Sequence, residues 1–158
     1  MRELLYKMLE TPSPSGSELN IQKMIINEMK EVSDKVITHH NFNIINVINP
    51  ESATKILLCG HVDEIGLYIE KVLSDGTCRL ARAGGVRPYA YISQHVRVIT
   101  KDQKEVYGVI GYTANMEKLK VTDLLLDLGT TSKEDTLKLI SIGDPVVHRT
   151  NYTELNNN

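Results

Sequence analysis

The sequence predicts an α/β chain in two parts, with helices and buried strands up to about Gly66 and a mostly β module after it. Three observations carry this reading. Apolar residues recur at helical spacing twice before residue 33. Ile56-Leu57-Leu58-Cys59 is continuous apolar sequence, as in a strand buried on both faces of an α/β sheet. Beyond Gly66 the apolar runs become short and are broken by turn residues.

Arg2 to Leu9 places Leu4, Leu5 and Met8 on one side of a first helix. The run Thr11-Pro12-Ser13-Pro14-Ser15-Gly16 stops it, because proline cannot continue a helix. Ser15 with Glu18 three residues on has the capping-box pattern for a second helix. Ile21, Met24, Ile25, Met29 and Val32 give that helix one buried face. Asn43 to Ile48 and Lys55 to Val62 read as strands. Leu67 to Leu73 and Thr77 to Ala81 are short strands joined by a Ser74-Asp75-Gly76 hairpin turn. Val96, Val98, Val106 and Val109 continue the β signal around a polar turn, Lys101 to Lys104. Leu124 to Leu128 is a strand or a short helix, which periodicity alone leaves open. Thr131 and Ser132 are cap-like before a short helix, Lys133 to Ile140. Gly143-Asp144-Pro145 turns the chain into a last strand, Val146-Val147, and a polar tail follows from Arg149.

Composition narrows the function. Of the 158 residues, 41% are hydrophobic and 24% charged, the balance of a soluble globular chain. With no Trp and one Phe, the core is expected to be aliphatic. A formal net charge of -2 and the lack of a basic cluster give no reason to expect nucleic acid or an anionic membrane as partner. The first ten residues are charged and amphipathic rather than an apolar leader, and Cys59 and Cys78 form no CxxC pair, so a cytoplasmic protein with reduced thiols is expected.

The sharpest chemical signal is Cys59-Gly60-His61-Val62-Asp63-Glu64-Ile65-Gly66, a His-x-Asp-Glu at the carboxyl end of a strand, where open α/β sheets bind ligands. Imidazole is a good zinc or cobalt ligand. Asp63, two residues on, shares a face with His61 and can orient its ring as carboxylates behind metal ligands do. The bland alternative is a strand-end histidine bonded to backbone. Cys59 shares the face too, and reads as a small buried hydrophobe rather than a soft ligand, as does Cys78. His39-His40 read as solvated, His95 as facing solvent or an interface, and His148 as lying near a frayed end. Gly84-Gly85 and Gly108 to Gly111 lack phosphate-loop spacing and read as turns or close backbone contacts. No Ser-His-Asp triad is favoured by spacing, and Asp63 and Glu64 form no glycosidase carboxylate pair.

At this point an ordered series of motifs resembles a known family. Pro14-Ser15-Gly16-Ser17-Glu18, His61-Val62-Asp63-Glu64-Ile65-Gly66, Gly84-Gly85, Gly108-Val109-Ile110-Gly111, Asp123 to Gly129, Ser132-Lys133-Glu134 and Gly143-Asp144-Pro145-Val146 stand in the family's order. The family is the cytosolic metal-dependent aminopeptidases labelled glutamyl aminopeptidase, deblocking aminopeptidase or cellulase M, which include the tetrahedral peptidases. The resemblance runs from about Leu4 to about Val147.

It implies a partial zinc-peptidase-like α/β domain over residues 1–66, a PDZ-like β-barrel insertion used for dimerisation over 67–148, and a polar tail over 149–158. It implies two metals, zinc or cobalt, and peptides as substrates. By motif match His61 is the first metal's histidine and Asp63 the carboxylate that orients it. The family's bridging aspartate, general base and later ligands follow the insertion, so the resemblance also implies a truncated chain that does not hold both metals. Three readings follow. The chain is an aminopeptidase fragment, inactive alone; or an assembly module for a full-length relative or a separate second half; or an enzyme whose site is built across an interface. A homo-oligomer through the β module is expected.

Overall fold

A computed structural model describes residues 2–39, 43–113 and 116–156. They fall into two units, Met1–Glu64 and Ile65–Asn158.

In the first unit, α1 (Arg2–Glu10) and α2 (Leu19–Met29) precede β1 (Lys35–Thr38) and β2 (Ile44–Val47). The strands pair antiparallel, from Lys35 opposite Val47 to Thr38 opposite Ile44. β1 was not anticipated, although Val36, Ile37 and Thr38 are a β-branched run. α2 is shorter than its apolar spacing suggests. It buries only Ile21 and Gln22, and Val32 lies beyond its end, exposed. The strand expected over Lys55 to Val62 does not form. No described segment pairs with it, and a strand without a hydrogen-bonded neighbour has no ladder to hold it. Its aliphatic side chains are therefore bare: Ile56 is 82%, Leu57 80% and Leu58 91% exposed.

The second unit is a closed antiparallel barrel. Its strands are β3 (Gly66–Val72), β4 (Cys78–Ala83), β5 (His95–Ile99), β6 (Glu105–Tyr112), β7 (Leu124–Asp127) and β8 (Pro145–His148), in the order β3-β4-β7-β6-β5-β8. Closure comes from β8 returning to β3, with Leu67 opposite Val146, and it removes the open edges that a sheet would otherwise expose. Alternate residues point inward: Leu67 and Ile69, Cys78 and Leu80, Val96 and Val98, Leu124 and Leu126 are all buried. The core is aliphatic apart from Tyr91 and Cys78. Leu124 to Leu128, expected as a strand or a short helix, forms the strand β7 over Leu124–Asp127, because Ile110 and Gly111 on β6 pair with it.

The turns follow the residues that the sequence singled out. Gly76 closes the β3–β4 hairpin at φ 90°, a left-handed conformation that suits glycine. Ser132 caps α3 (Lys133–Leu139) by accepting the Asp135 amide at 3.2 Å. Thr136, fully buried in α3, donates to the Gly76 carbonyl at 2.8 Å, which ties this helix to the hairpin. Gly108 has no unusual backbone angle; it is small because β7 is close. A Cβ there would stand 2.6 Å from the Asp127 carbonyl oxygen and 2.7 Å from side-chain carbons of Leu126 and Leu128. Among the described residues no helix is long and apolar enough to cross a membrane.

Candidate metal-ligand site

Glu64 clips the Pro14 turn to the His61–Glu64 segment. The Ser13 amide donates to the Glu64 carboxylate at 2.8 Å, and the Glu64 amide donates back to the Ser13 carbonyl at 2.8 Å. Pro14 and Glu64 form a parallel bridge, and the Ser15 amide reaches the Glu64 carbonyl at 3.4 Å. Gly16 then takes φ 89°, and its amide donates to the Glu18 carboxylate at 2.8 Å. The expected capping box is therefore not made. Glu18 is itself the N-cap of α2, without a side-chain cap bond, and Ser15 turns elsewhere. Its hydroxyl donates to Asp63 Oδ2 at 2.5 Å.

The other Asp63 oxygen meets the histidine. His61 Nδ1 lies 3.0 Å from Asp63 Oδ1 and 3.0 Å from the Asp63 carbonyl oxygen. The residues two apart do meet, although the segment is not a strand. The Ser15 hydroxyl, more than the His61 ring, holds the Asp63 carboxyl below the usual carboxylate value, against a smaller desolvation effect. Asp63 is thus an anion at neutral pH, with an acceptor on each side. With Nδ1 occupied, the ring keeps Nε2 for another ligand, and that nitrogen has no partner among the described residues. The His61 side chain is 86% exposed.

His61 and Asp63 line a cleft of about 330 Å³, together with Glu18, Gln22 and Asn46. Glu18 Oε2 and Asn46 Oδ1 are buried without a described hydrogen-bond partner, so this wall carries acceptor capacity that no described group uses. The donor chemistry fits one metal ligand: an imidazole whose Nδ1 is held by a carboxylate, the usual support behind zinc-binding histidines. It does not make a whole site. Among the described residues no group of three or more His, Cys, Asp or Glu could hold a metal ion.

The other candidates stand apart from this chemistry. Cys59 is exposed, not buried as expected, because the segment that carries it has no strand neighbours. Cys78 is buried in the barrel, and burial, then the nearby Asp75, push its thiol up to about 11. His39 is exposed and His40 lies outside the described residues. His95 is exposed on β5. His148 is not at a frayed end: it belongs to β8, stacks on Tyr91 at 3.9 Å, and burial lowers its pKa. Sequence reasoning missed the bond from Ser15 to Asp63. The two residues are 48 apart, and a serine followed by a glutamate reads as a helix cap at close range.

Comparison with known proteins agrees with the motif order. The lysyl aminopeptidase of Pyrococcus furiosus is 30% identical over 164 residues, covering 97% of this chain and 47% of that protein. The Pyrococcus horikoshii TET1 peptidase, described as able to assemble into a tetrahedron or a large octahedral shell, superposes with a TM-score of 0.86 at 32% identity. That match covers 98% of this chain and 48% of the peptidase. A Thermotoga maritima structure titled endoglucanase gives a TM-score of 0.83 at 29% identity, over 96% and 46% of the two chains. The chain spans less than half the length of these relatives. The family model described as M42 glutamyl aminopeptidase matches residues 43–158, most of the chain, and the chain belongs to that family.

Proposed function

We propose that this chain serves in the metal-dependent hydrolysis of N-terminal residues from peptides, with His61 as a metal ligand and Asp63 as the carboxylate that orients it. The observation that carries the reading is the His61–Asp63 pair, which leaves Nε2 available beside a cleft. Family membership supports the reaction class, since M42 aminopeptidases are in general metal-dependent. Zinc or cobalt suits an imidazole ligand. When bound, such a metal polarises a peptide carbonyl and lowers the pKa of its water. The work of this chain's residues is to present Nε2, to keep the Nδ1 proton on the Asp63 side, and to wall the cleft. The remaining ligands and the general base come from sequence that the relatives carry beyond the matched half.

The bare run Ile56-Leu57-Leu58 supports the same view. An aliphatic extended segment gains by burial, and neighbouring strands of a larger zinc-peptidase-like α/β domain would supply it. The barrel is then a PDZ-like insertion used in homo-oligomer assembly, a reading supported by the assembling relative. The test is zinc and cobalt titration of the purified chain, with aminoacyl p-nitroanilide hydrolysis measured alongside and His61→Ala as control. Weak uptake, as one ligand allows, that is lost in His61→Ala, and no turnover by the chain alone, are expected. Uptake that survives His61→Ala would remove His61 from the metal site.

A further inference from the structure

A carboxylate that accepts a single donor can rotate about its last bond and offer either oxygen. Asp63 accepts two. Its Oδ1 faces His61 Nδ1 at 3.0 Å and its Oδ2 takes the Ser15 hydroxyl at 2.5 Å. The two donors together fix the carboxylate plane. The hydroxyl is itself placed by backbone: the paired Ser13–Glu64 bonds and the Pro14–Glu64 bridge hold the turn from which Ser15 projects, and Ser13 and Pro14 are buried. Exposure adds to the need for such a device. The His61 ring is 86% exposed, so little packing limits its rotation, and the hydrogen bonds to Asp63 set its orientation.

We propose that Ser15 is a positioning residue for His61: its hydroxyl locks the Asp63 carboxylate, and the locked carboxylate keeps the imidazole proton on Nδ1 and Nε2 bare for the metal. This rests on the reading of His61 as a metal ligand. It also gives the Pro14-Ser15-Gly16-Ser17-Glu18 motif a function. Pro14 bridges to Glu64, Ser15 reaches Asp63, Gly16 supplies the left-handed turn, and Glu18 accepts the Gly16 amide.

The test starts on metal-free protein. Long-range proton–nitrogen NMR of His61 reads which nitrogen of the neutral ring carries the proton. The parent chain is expected to show mainly the Nδ1–H form. Ser15→Ala is expected to move population toward Nε2–H, and Ser15→Thr, which keeps the hydroxyl, to restore the parent pattern. Ser15→Cys, similar in volume but a weaker donor, makes the same comparison should Ser15→Ala disturb the β1–β2 amide signals. Zinc titration is the second readout, with affinity about tenfold weaker in Ser15→Ala and regained in Ser15→Thr. A tautomer balance and zinc affinity unchanged by Ser15→Ala and Ser15→Cys would overturn the proposal. Zinc affinity unchanged by His61→Ala would instead sink the metal-ligand reading, while the metal-free tautomer comparison still decides the role of Ser15.

Discussion

Gly108→Ala is expected to destabilise the barrel by about 3 kcal/mol, at the upper end of overpacking costs. The sign is not obvious. A glycine inside a strand is ordinarily worse than alanine by roughly 0.5–1 kcal/mol, because it loses more backbone freedom on folding. Gly108 has no left-handed angle that would forbid alanine. Space decides the matter. The new methyl would meet a backbone oxygen at 2.6 Å, and a backbone oxygen in a paired strand cannot swing aside. Both side chains at 2.7 Å belong to the layer around the core residue Leu126, so they have little room to retreat. Urea unfolding of the two proteins measures the difference. A loss below about 0.5 kcal/mol would show that β6 and β7 separate readily.

Leu80→Ala and Leu57→Ala are expected to differ by several kcal/mol, although the sequence places Leu57 in the more apolar run, Ile56-Leu57-Leu58-Cys59, and Leu80 between Arg79 and Arg82. Leu80 is 0% exposed in the barrel core. Truncating it removes buried methyl groups and leaves a cavity, at a cost of about 2–5 kcal/mol. Leu57 is 80% exposed, and truncating it is expected to change the stability of this chain by no more than about 0.5 kcal/mol. The same unfolding experiment reads both. Equal losses would mean that the 55–62 segment is packed after all.

That pair of leucines also marks where the sequence was legible. The strands of the barrel are legible one by one, although their closure is not local (Cys78 lies opposite Leu126 and Leu67 opposite Val146), because its turn residues announce themselves: Gly76 in the hairpin, Ser132 at the cap, Pro145 at the head of β8. Alternation and turn chemistry are local, so they survive in a single sequence. Burial is not local. Ile56 to Cys59 has the composition of an interior strand, but no neighbour in the described chain covers it. The candidate site was half legible for the same reason. His61 and Asp63 are two residues apart and do meet, but not across the strand face that the spacing assumed. Ser15 is 48 residues from Asp63, and only the fold brings its hydroxyl to the carboxylate. The apolar spacing of α2 overstated its buried face because the unit that it belongs to has little to pack against it beyond Ile21 and Gln22.

The central claim is that His61 presents Nε2 to a metal. The most direct measurement is a crystal structure of the chain grown with zinc, with the metal located by its anomalous scattering. The account predicts a zinc peak at about 2.0–2.1 Å from His61 Nε2, with Nδ1 still on Asp63. Zinc bound elsewhere while His61 Nε2 stays bare, or bound through Nδ1 with the Asp63 contact broken, would contradict it.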